Sequence, residues 1–197
     1  AYIVAEPFNA IGELTSVARV LRFTGDIWKN HPCCVVCMHE SDTVFRPSWT
    51  QKVMNAIVKA QVFASTHKSE VAKVLSREGR GYLPMPADVV HRAMTVYADE
   101  EGYAKTEAIK HQQWGNGRID FQPWPYPSAT RLIVQAMNET VVEGDKTFLQ
   151  GLDPEHVVDD LVNYEFVRNA LERFPEWKED PSVNSADPFM RQETVVL

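Results

Sequence analysis

One nine-residue run, from His31 to His39, limits what this chain can fold into more than any other segment. It reads His-Pro-Cys-Cys-Val-Val-Cys-Met-His and contains all three cysteines and two of the six histidines. The apolar and β-branched residues among the cysteines predict a buried strand, with Cys33 and Cys37 on one face and Cys34 on the other. The run is either a soft-metal site or an ordinary core strand, because free cysteine is also a small core residue.

Charge and hydropathy exclude some partners. The chain has 27 acidic and 20 basic residues among 197, a formal net charge of -7 at pH 7. Proteins that bind nucleic acid or an anionic membrane surface usually present a basic patch, so we expect no nucleic-acid partner. No apolar run approaches the roughly 20 residues that span a bilayer, so we expect no direct membrane insertion.

Short strand-like and helix-like segments alternate up to His39, and helices follow. Strands are predicted at 2–5, 17–23 and 33–38 and helical segments at 7–14 and 25–29, a pattern typical of an α/β fold. Because the first strand begins at Tyr2, we expect that further sequence precedes it. Amphipathic spacing then predicts helices at 49–65, 68–77, 87–97, 128–142, 153–162 and 164–174, with a turn at Gly115-Asn116-Gly117.

Two helix starts carry cap signals, and one loop is rich in aromatic residues. Ser128 and Asp153 are expected to cap the helices that they begin. Trp124 and Tyr126, with Trp114 before them, lie in and around a proline-rich stretch. Such rings either stack on a ligand in a cleft or anchor the loop to the core.

Two strings give a family resemblance: Glu-Pro-Phe-Asn at 6–9 and Asp-Ile-Trp-Lys-Asn-His-Pro at 26–32. In their residues and their order along the chain, they resemble elements of ABC-transporter substrate-binding proteins of the nitrate/sulfonate/bicarbonate group, which is NMT1/THI5-like. Tyr126-Pro127-Ser128 resembles a Tyr-Pro element of the same group. The resemblance is dense over residues 1–65 and thin elsewhere.

The resemblance implies part of an α/β, type II periplasmic-binding-protein-like fold that is helix-rich after residue 40. The rest of the two lobes would lie upstream of this chain. Residues 1–32 would end the second lobe, 33–39 would form the hinge or return strand, 40–174 would complete the first lobe, and 175–197 would form an extended tail.

The implied function is the solute-binding component of an ABC importer. Such a protein captures a small molecule in the cleft between its lobes by hinge closure, and it is not an enzyme and needs no cofactor. Its partner would be the transporter permease, and it would be periplasmic or tethered outside the membrane.

The candidate ligand contacts are Ala5, Glu6, Phe8 and Asn9, at a strand-to-helix corner that would face the cleft, together with Cys34. Glu6 is alternatively a residue that favours the positive end of a helix, and Phe8 a core residue. A pocket carboxylate repels an anion unless a metal or a basic side chain compensates it. Nitrate-type members carry a basic residue where this chain has Cys34. We therefore expect a cationic, zwitterionic or heteroaromatic solute.

A second resemblance leaves an enzyme open. Cys33-Cys34-Val35-Val36-Cys37 is similar to the Cys-Cys-Cys-Phe-Cys segment of thiamin pyrimidine synthases, which share the binding-protein fold. It implies iron at Cys33, Cys34 and Cys37 and pyridoxal phosphate as cofactor, in a cytoplasmic protein. A cytoplasmic solute sensor on the same fold is a third alternative. In either setting His39, beside Glu40, is a candidate hydrogen-bonding residue at the hinge.

Overall fold

The structure, a computed structural model, describes residues 1–97, 102–115, 117–140, 143–149, 151–175, 177 and 190–196. Helices dominate these ranges, and none of them is long and apolar enough to cross a membrane. They are α1 (Phe8–Leu14), α2 (Glu40–Phe45), α3 (Pro47–Thr66), α4 (Lys68–Leu75), α5 (Ala87–Thr95), α6 (Pro127–Glu139), α7 (Pro154–Leu161) and α8 (Glu165–Leu171), with 3-10 turns at Thr24–Asp26, Gln112–Trp114 and Thr147–Leu149.

The seven longer helices that the sequence predicts are confirmed, whereas the segment 25–29 has only a 3-10 turn at Thr24–Asp26. The two cap predictions have different outcomes. Asp153 caps α7, because its carboxylate accepts the N–H of Glu155 at 3.0 Å. The Ser128 cap is wrong. The helix α6 already begins at Pro127, whose fixed φ suits a first helical position, and the Ser128 hydroxyl donates to Glu193 at 2.7 Å. The predicted end of this helix at 142 lies outside the described residues, and α6 ends at Glu139.

One compact unit comprises Ala1–Cys33, Phe63–Phe121 and Thr194–Leu197. In it α5 packs against both α1 and α4. Residues four apart share a helix face, so α5 buries two stripes in two different directions. Val89 and Ala93 meet Ala10 of α1, whereas Val90 and Met94 meet Ala72 of α4. The alanines on α1 and α4 are fully buried.

The second compact unit comprises Cys34–Val62 and Gln122–Glu193, and in it α6 packs against α7. Trp124 and Tyr126 are each 3% exposed. The Trp124 ring lies 5.2 Å from that of Tyr164, and the Arg191 guanidinium lies 4.5 Å over the ring of Tyr126. Of the two alternatives for these rings, anchoring the loop to the core is confirmed. The lobe assignments of the sequence analysis stay predictions.

The strand predictions at 2–5, 17–23 and 33–38 are wrong for this structure, whose described residues form no β-strand. A strand needs a neighbour that takes up its backbone N–H and C=O groups, and β-branched composition alone supplies none. The alternating α/β pattern is therefore not confirmed, and a helix-rich chain is observed. All three cysteines are exposed, so the run from His31 to His39 is not a buried core strand either.

Thr194–Val196, near the end of the predicted tail, pairs with the segment Ile27–Lys29. The Lys29 N–H donates to the Thr194 carbonyl at 3.0 Å, and the Val196 N–H donates to the Ile27 carbonyl at 2.9 Å. These bonds flank an isolated antiparallel bridge between Trp28 and Val195. Of the predicted turn, Asn116 lies outside the described residues, while Gly115 adopts the left-handed φ of 65° that suits glycine.

Candidate functional site

The predicted ligand corner, Ala5 to Asn9, forms the entry to α1. The Phe8 N–H donates to the Ala5 carbonyl at 3.2 Å, and the Asn9 side-chain amide donates to the Val4 carbonyl at 2.9 Å. The Glu6 carboxylate accepts the N–H of Ala10 at 3.2 Å. Four of the five predicted contacts are thus held together by local hydrogen bonds that fix the course of the backbone.

Arg118 neutralises Glu6. Its Nε lies 2.6 Å from Glu6 Oε1, and the two side chains are 0% and 9% exposed. Burial by itself lowers the pKa of the Arg118 guanidinium, but the carboxylates of Glu6 and Glu13 outweigh it and the net pKa is raised. Arg118 therefore remains charged, and Glu6 is one half of a buried ion pair.

The pair belongs to a larger buried cluster on α1, α5 and the segments after them. Arg118 Nη2 lies 2.7 Å from Glu13, and Arg92 lies 3.2 Å from the same carboxylate. The Tyr103 hydroxyl donates to Glu13 at 2.6 Å and accepts from Arg118 at 3.0 Å. With two carboxylates and two guanidinium groups the cluster has no net charge.

Burial would raise the pKa of Glu13, but hydrogen bonds from Arg92, Tyr103 and Arg118 outweigh it and the pKa is lowered. The Tyr103 hydroxyl shows the opposite response, since burial and the bond to Glu13 raise its pKa. Both shifts keep one proton arrangement at neutral pH: the carboxylate is ionised and the phenol is protonated.

This cluster removes the basis of the charge argument against anions. That argument treated Glu6 as an uncompensated carboxylate in the pocket, and Arg118 supplies the compensating charge 112 positions later. The preference for a cationic solute loses its reason at Glu6. The corner instead presents Phe8, which is 53% exposed, so its alternative as a core residue is wrong.

Asp26, the acidic residue of the second motif, is also buried and bound by other residues of the chain. Its side chain is 1% exposed, and its two oxygens accept the N–H groups of Lys110 and His111, each at 2.8 Å. Arg22 completes the arrangement with an ion pair at 2.8 Å. Asp26 thus fixes the loop that carries His111, whose ring stacks on Trp114 at 4.3 Å. A shallow surface depression of about 500 Å³ beside it is lined by Arg22, Ile27, Lys110, His111 and Val196.

The cysteine run does not assemble a metal centre in the part of the chain that the structure describes. Cys33, Cys34 and Cys37 are exposed, and no group of three or more metal-ligating side chains occurs among the described residues. The three thiols expected to hold iron therefore do not form a ligand set among the described residues. His39 is a helix cap: its Nδ1 accepts the N–H of Ser41 at 3.2 Å, at the start of α2.

Sequence reasoning missed Glu13, Arg92, Tyr103 and Arg118. One local signal existed at Arg118, a lone charge between a glycine-rich turn and the apolar Ile119. Its two carboxylate partners, Glu6 and Glu13, lie 112 and 105 positions away, and no periodicity connects them. Cys34 belongs to the second compact unit, whereas the corner belongs to the first, and its role as a ligand contact stays a prediction.

The two motif strings lie in the part of the chain for which a family likeness is found. Residues 1–76 match the model of the NMT1-like family. The match contains the corner at Ala5–Asn9, the segment that begins at Asp26 and the cysteine run, and it supports the NMT1/THI5-like resemblance over these residues. Comparison of the chain with curated proteins and with solved structures gives no match.

Proposed function

We propose that this chain is part of the solute-binding component of an ABC importer, with a periplasmic-binding-protein-like fold that closes on a small molecule. The observation that carries the proposal is the NMT1-like match over residues 1–76, which includes the whole predicted ligand corner. The partner in this proposal is the transporter permease, and the protein acts in the periplasm or tethered outside the membrane.

The chemistry of the corner favours a neutral, ring-containing solute. Phe8 offers an exposed aromatic face, and next to it in sequence Asn9, whose amide nitrogen donates to the Val4 carbonyl, carries a side-chain oxygen that can accept a hydrogen bond. Because Arg118 neutralises Glu6, the corner offers no net charge of either sign. Ring stacking and amide hydrogen bonds recognise flat heteroaromatic molecules without needing a charge. We therefore narrow the predicted cationic, zwitterionic or heteroaromatic solutes to the heteroaromatic class.

Binding of a solute series to the full chain tests the proposal. Isothermal titration would compare pyrimidine and pyridine derivatives with alkylamines, nitrate and an alkylsulfonate. We expect binding of a heteroaromatic compound, and about two- to tenfold weaker binding in Phe8→Ala, the loss typical of one aromatic stacking contact. Phe45→Ala is the matched control, because this ring is 80% exposed on α2 and lies outside the corner.

Three results would count against this function. Preferential binding of nitrate or sulfonate would contradict the solute class, and equal losses in the two phenylalanine variants would contradict the site. Stoichiometric iron in anaerobically purified protein, lost in both Cys34→Ser and Cys37→Ser, would favour the iron- and pyridoxal-phosphate-dependent pyrimidine synthase instead. Metal analysis of the three proteins therefore belongs to the same experiment.

A further inference from the structure

The depression beside His111 combines charged and aliphatic side chains in one place. Its volume is about 500 Å³, and the residues that line it are Arg22, Ile27, Lys110, His111 and Val196. All five belong to the first compact unit. None of them is part of the corner at Ala5–Asn9, so the depression is a separate candidate site.

Asp26 holds the charged side of the depression in place. Its buried carboxylate accepts the backbone N–H groups of Lys110 and His111, each at 2.8 Å, and forms an ion pair with Arg22 at 2.8 Å. The Nδ1 atom of His111 lies 3.0 Å from the Asp26 carbonyl oxygen, and its ring stacks on Trp114. The backbone at Lys110 and the ring of His111 are therefore fixed before any ligand arrives.

Ile27 and Val196 form the aliphatic side, and backbone pairing holds them together. The Val196 N–H donates to the Ile27 carbonyl at 2.9 Å. Successive residues of an extended segment point to opposite faces, so Val195 and Val196 point in opposite directions. Val195 is 46% exposed and does not line the depression. The two neighbouring valines thus supply a site residue and its matched control.

Lys110 carries the positive charge that is available to a ligand. The charge of Arg22 is neutralised by the buried Asp26. The Lys110 ammonium lies 3.2 Å from Glu107, but the two side chains are 52% and 75% exposed. Water screens an exposed pair of this kind, so the ammonium can turn to a ligand at little cost. One positive charge beside two aliphatic side chains matches a monoanion that carries a hydrocarbon group.

We propose that this depression binds a small-molecule carboxylate with an attached apolar group. The Lys110 ammonium donates to the carboxylate, and the hydrocarbon part packs against Ile27 and Val196. A dianion such as phosphate would bring a second charge against aliphatic side chains, where it loses hydration without gaining a partner. A neutral amide of the same shape would lose the charge-assisted hydrogen bond. Charge and apolar surface together therefore select the carboxylate.

Titration of the full chain with benzoate, followed by NMR of the histidine ring signals, tests the charged side of the site. The His111 signals are identified by their loss in His111→Gln, and we expect them to shift saturably. Benzamide should bind about three- to tenfold more weakly than benzoate, and Lys110→Gln should weaken benzoate binding by the same factor. Lys59→Gln is the matched control, because Lys59 is exposed on α3 in the second compact unit.

The aliphatic side is tested by the two valines in the same titration. Val196→Ala removes part of the apolar surface and should weaken benzoate binding about two- to fivefold. Val195→Ala makes the same chemical change on the opposite face of the segment, so its affinity should equal that of the wild type.

Four results would overturn the proposal. They are equal affinities for benzoate and benzamide, equal losses in the two valine variants, no saturable shift of the His111 signals at millimolar benzoate, and weaker benzoate binding in Phe8→Ala with no change in Lys110→Gln. The last result would place benzoate at the corner. None of the other readouts involves the corner, so failure here is distinguishable from failure of the proposed import function.

Discussion

Replacing Arg118 by methionine tests whether the buried cluster holds the first compact unit together. The guanidinium is fully buried and contacts Glu6, Glu13 and the Tyr103 hydroxyl at 2.6, 2.7 and 3.0 Å. Methionine keeps an unbranched side chain of related length and removes the charge, these three contacts and a longer hydrogen bond to the Val96 carbonyl at 3.4 Å. Arg92 still contacts Glu13 in this variant, whereas Glu6 keeps the N–H of Ala10.

The size of the stability loss follows from the two carboxylates that remain buried after Arg118 is replaced. Removing one partner of a buried ion pair costs about 3–5 kcal/mol, because the other charge is left buried without compensation. Arg118 serves two carboxylates that are 9% and 10% exposed, so solvent screens neither of them well. We therefore expect Arg118→Met to lower the free energy of unfolding by about 3–5 kcal/mol at pH 7.

The loss should shrink in acid. The pKa of Glu13 in the folded protein is lowered from its ordinary value of 4.5. A lowered carboxyl pKa contributes stability that is present above the unfolded pKa and is lost as the pH falls through the folded pKa. The wild type therefore loses this contribution below about pH 4.5, and the gap between wild type and variant narrows there.

Urea unfolding followed by circular dichroism at pH 7 and pH 4 measures both effects. Arg77→Met is the control, since Arg77 pairs with Glu78 at the surface and the two side chains are 62% and 50% exposed. We expect its unfolding midpoint to equal that of the wild type. A loss below about 1 kcal/mol for Arg118→Met, the range of exposed pairs, or an equal loss at both pH values, would refute the reasoning.

Three further predictions concern a buried hydroxyl, a glycine and a helix cap, and each is tested by urea or thermal unfolding. Tyr103→Phe should cost about 1–3 kcal/mol by leaving charged partners without its hydroxyl, whereas Tyr164→Phe should cost nothing, because that hydroxyl is buried with no hydrogen-bond partner among the described residues; equal losses would contradict this. Gly79→Ala places a Cβ against the Lys73 carbonyl oxygen, closer than van der Waals contact allows, and should destabilise by about 1–3 kcal/mol, so a neutral result would exclude the clash. Asp153→Ala should cost about 1 kcal/mol as a lost helix cap, and Asp153→Asn should retain most of that stability.

The helices could be predicted because their signals are local. The stripe of α3 and the Asp153-Pro154 start of α7 each depend on residues within a few positions, and both are confirmed. Local sequence signals could not decide whether strands form at 2–5 and 33–38. A strand depends on a partner elsewhere in the chain, which composition does not reveal.

The candidate site was predicted in part. Ala5–Asn9 forms the entry to α1, which begins at Phe8, one position after the predicted start, but the strand predicted before it is absent from the described residues. The electrostatics of Glu6 were wrong, because its partner Arg118 is joined to it by the fold alone. A carboxylate read in isolation is a negative charge, but in its folded setting it is half of a neutral pair.

The internal use of Glu6 and Asp26 has a consequence for how such chains are compared. Both residues belong to the motifs that carry the family resemblance. Each side chain binds a distant segment of its own compact unit: Glu6 binds Arg118, and Asp26 binds the backbone at Lys110. A resemblance that depends on these two residues therefore indicates similar internal packing. Two chains that share Glu6 and Asp26 need not bind the same molecule. The residues that determine ligand specificity should be sought among exposed neighbours such as Phe8.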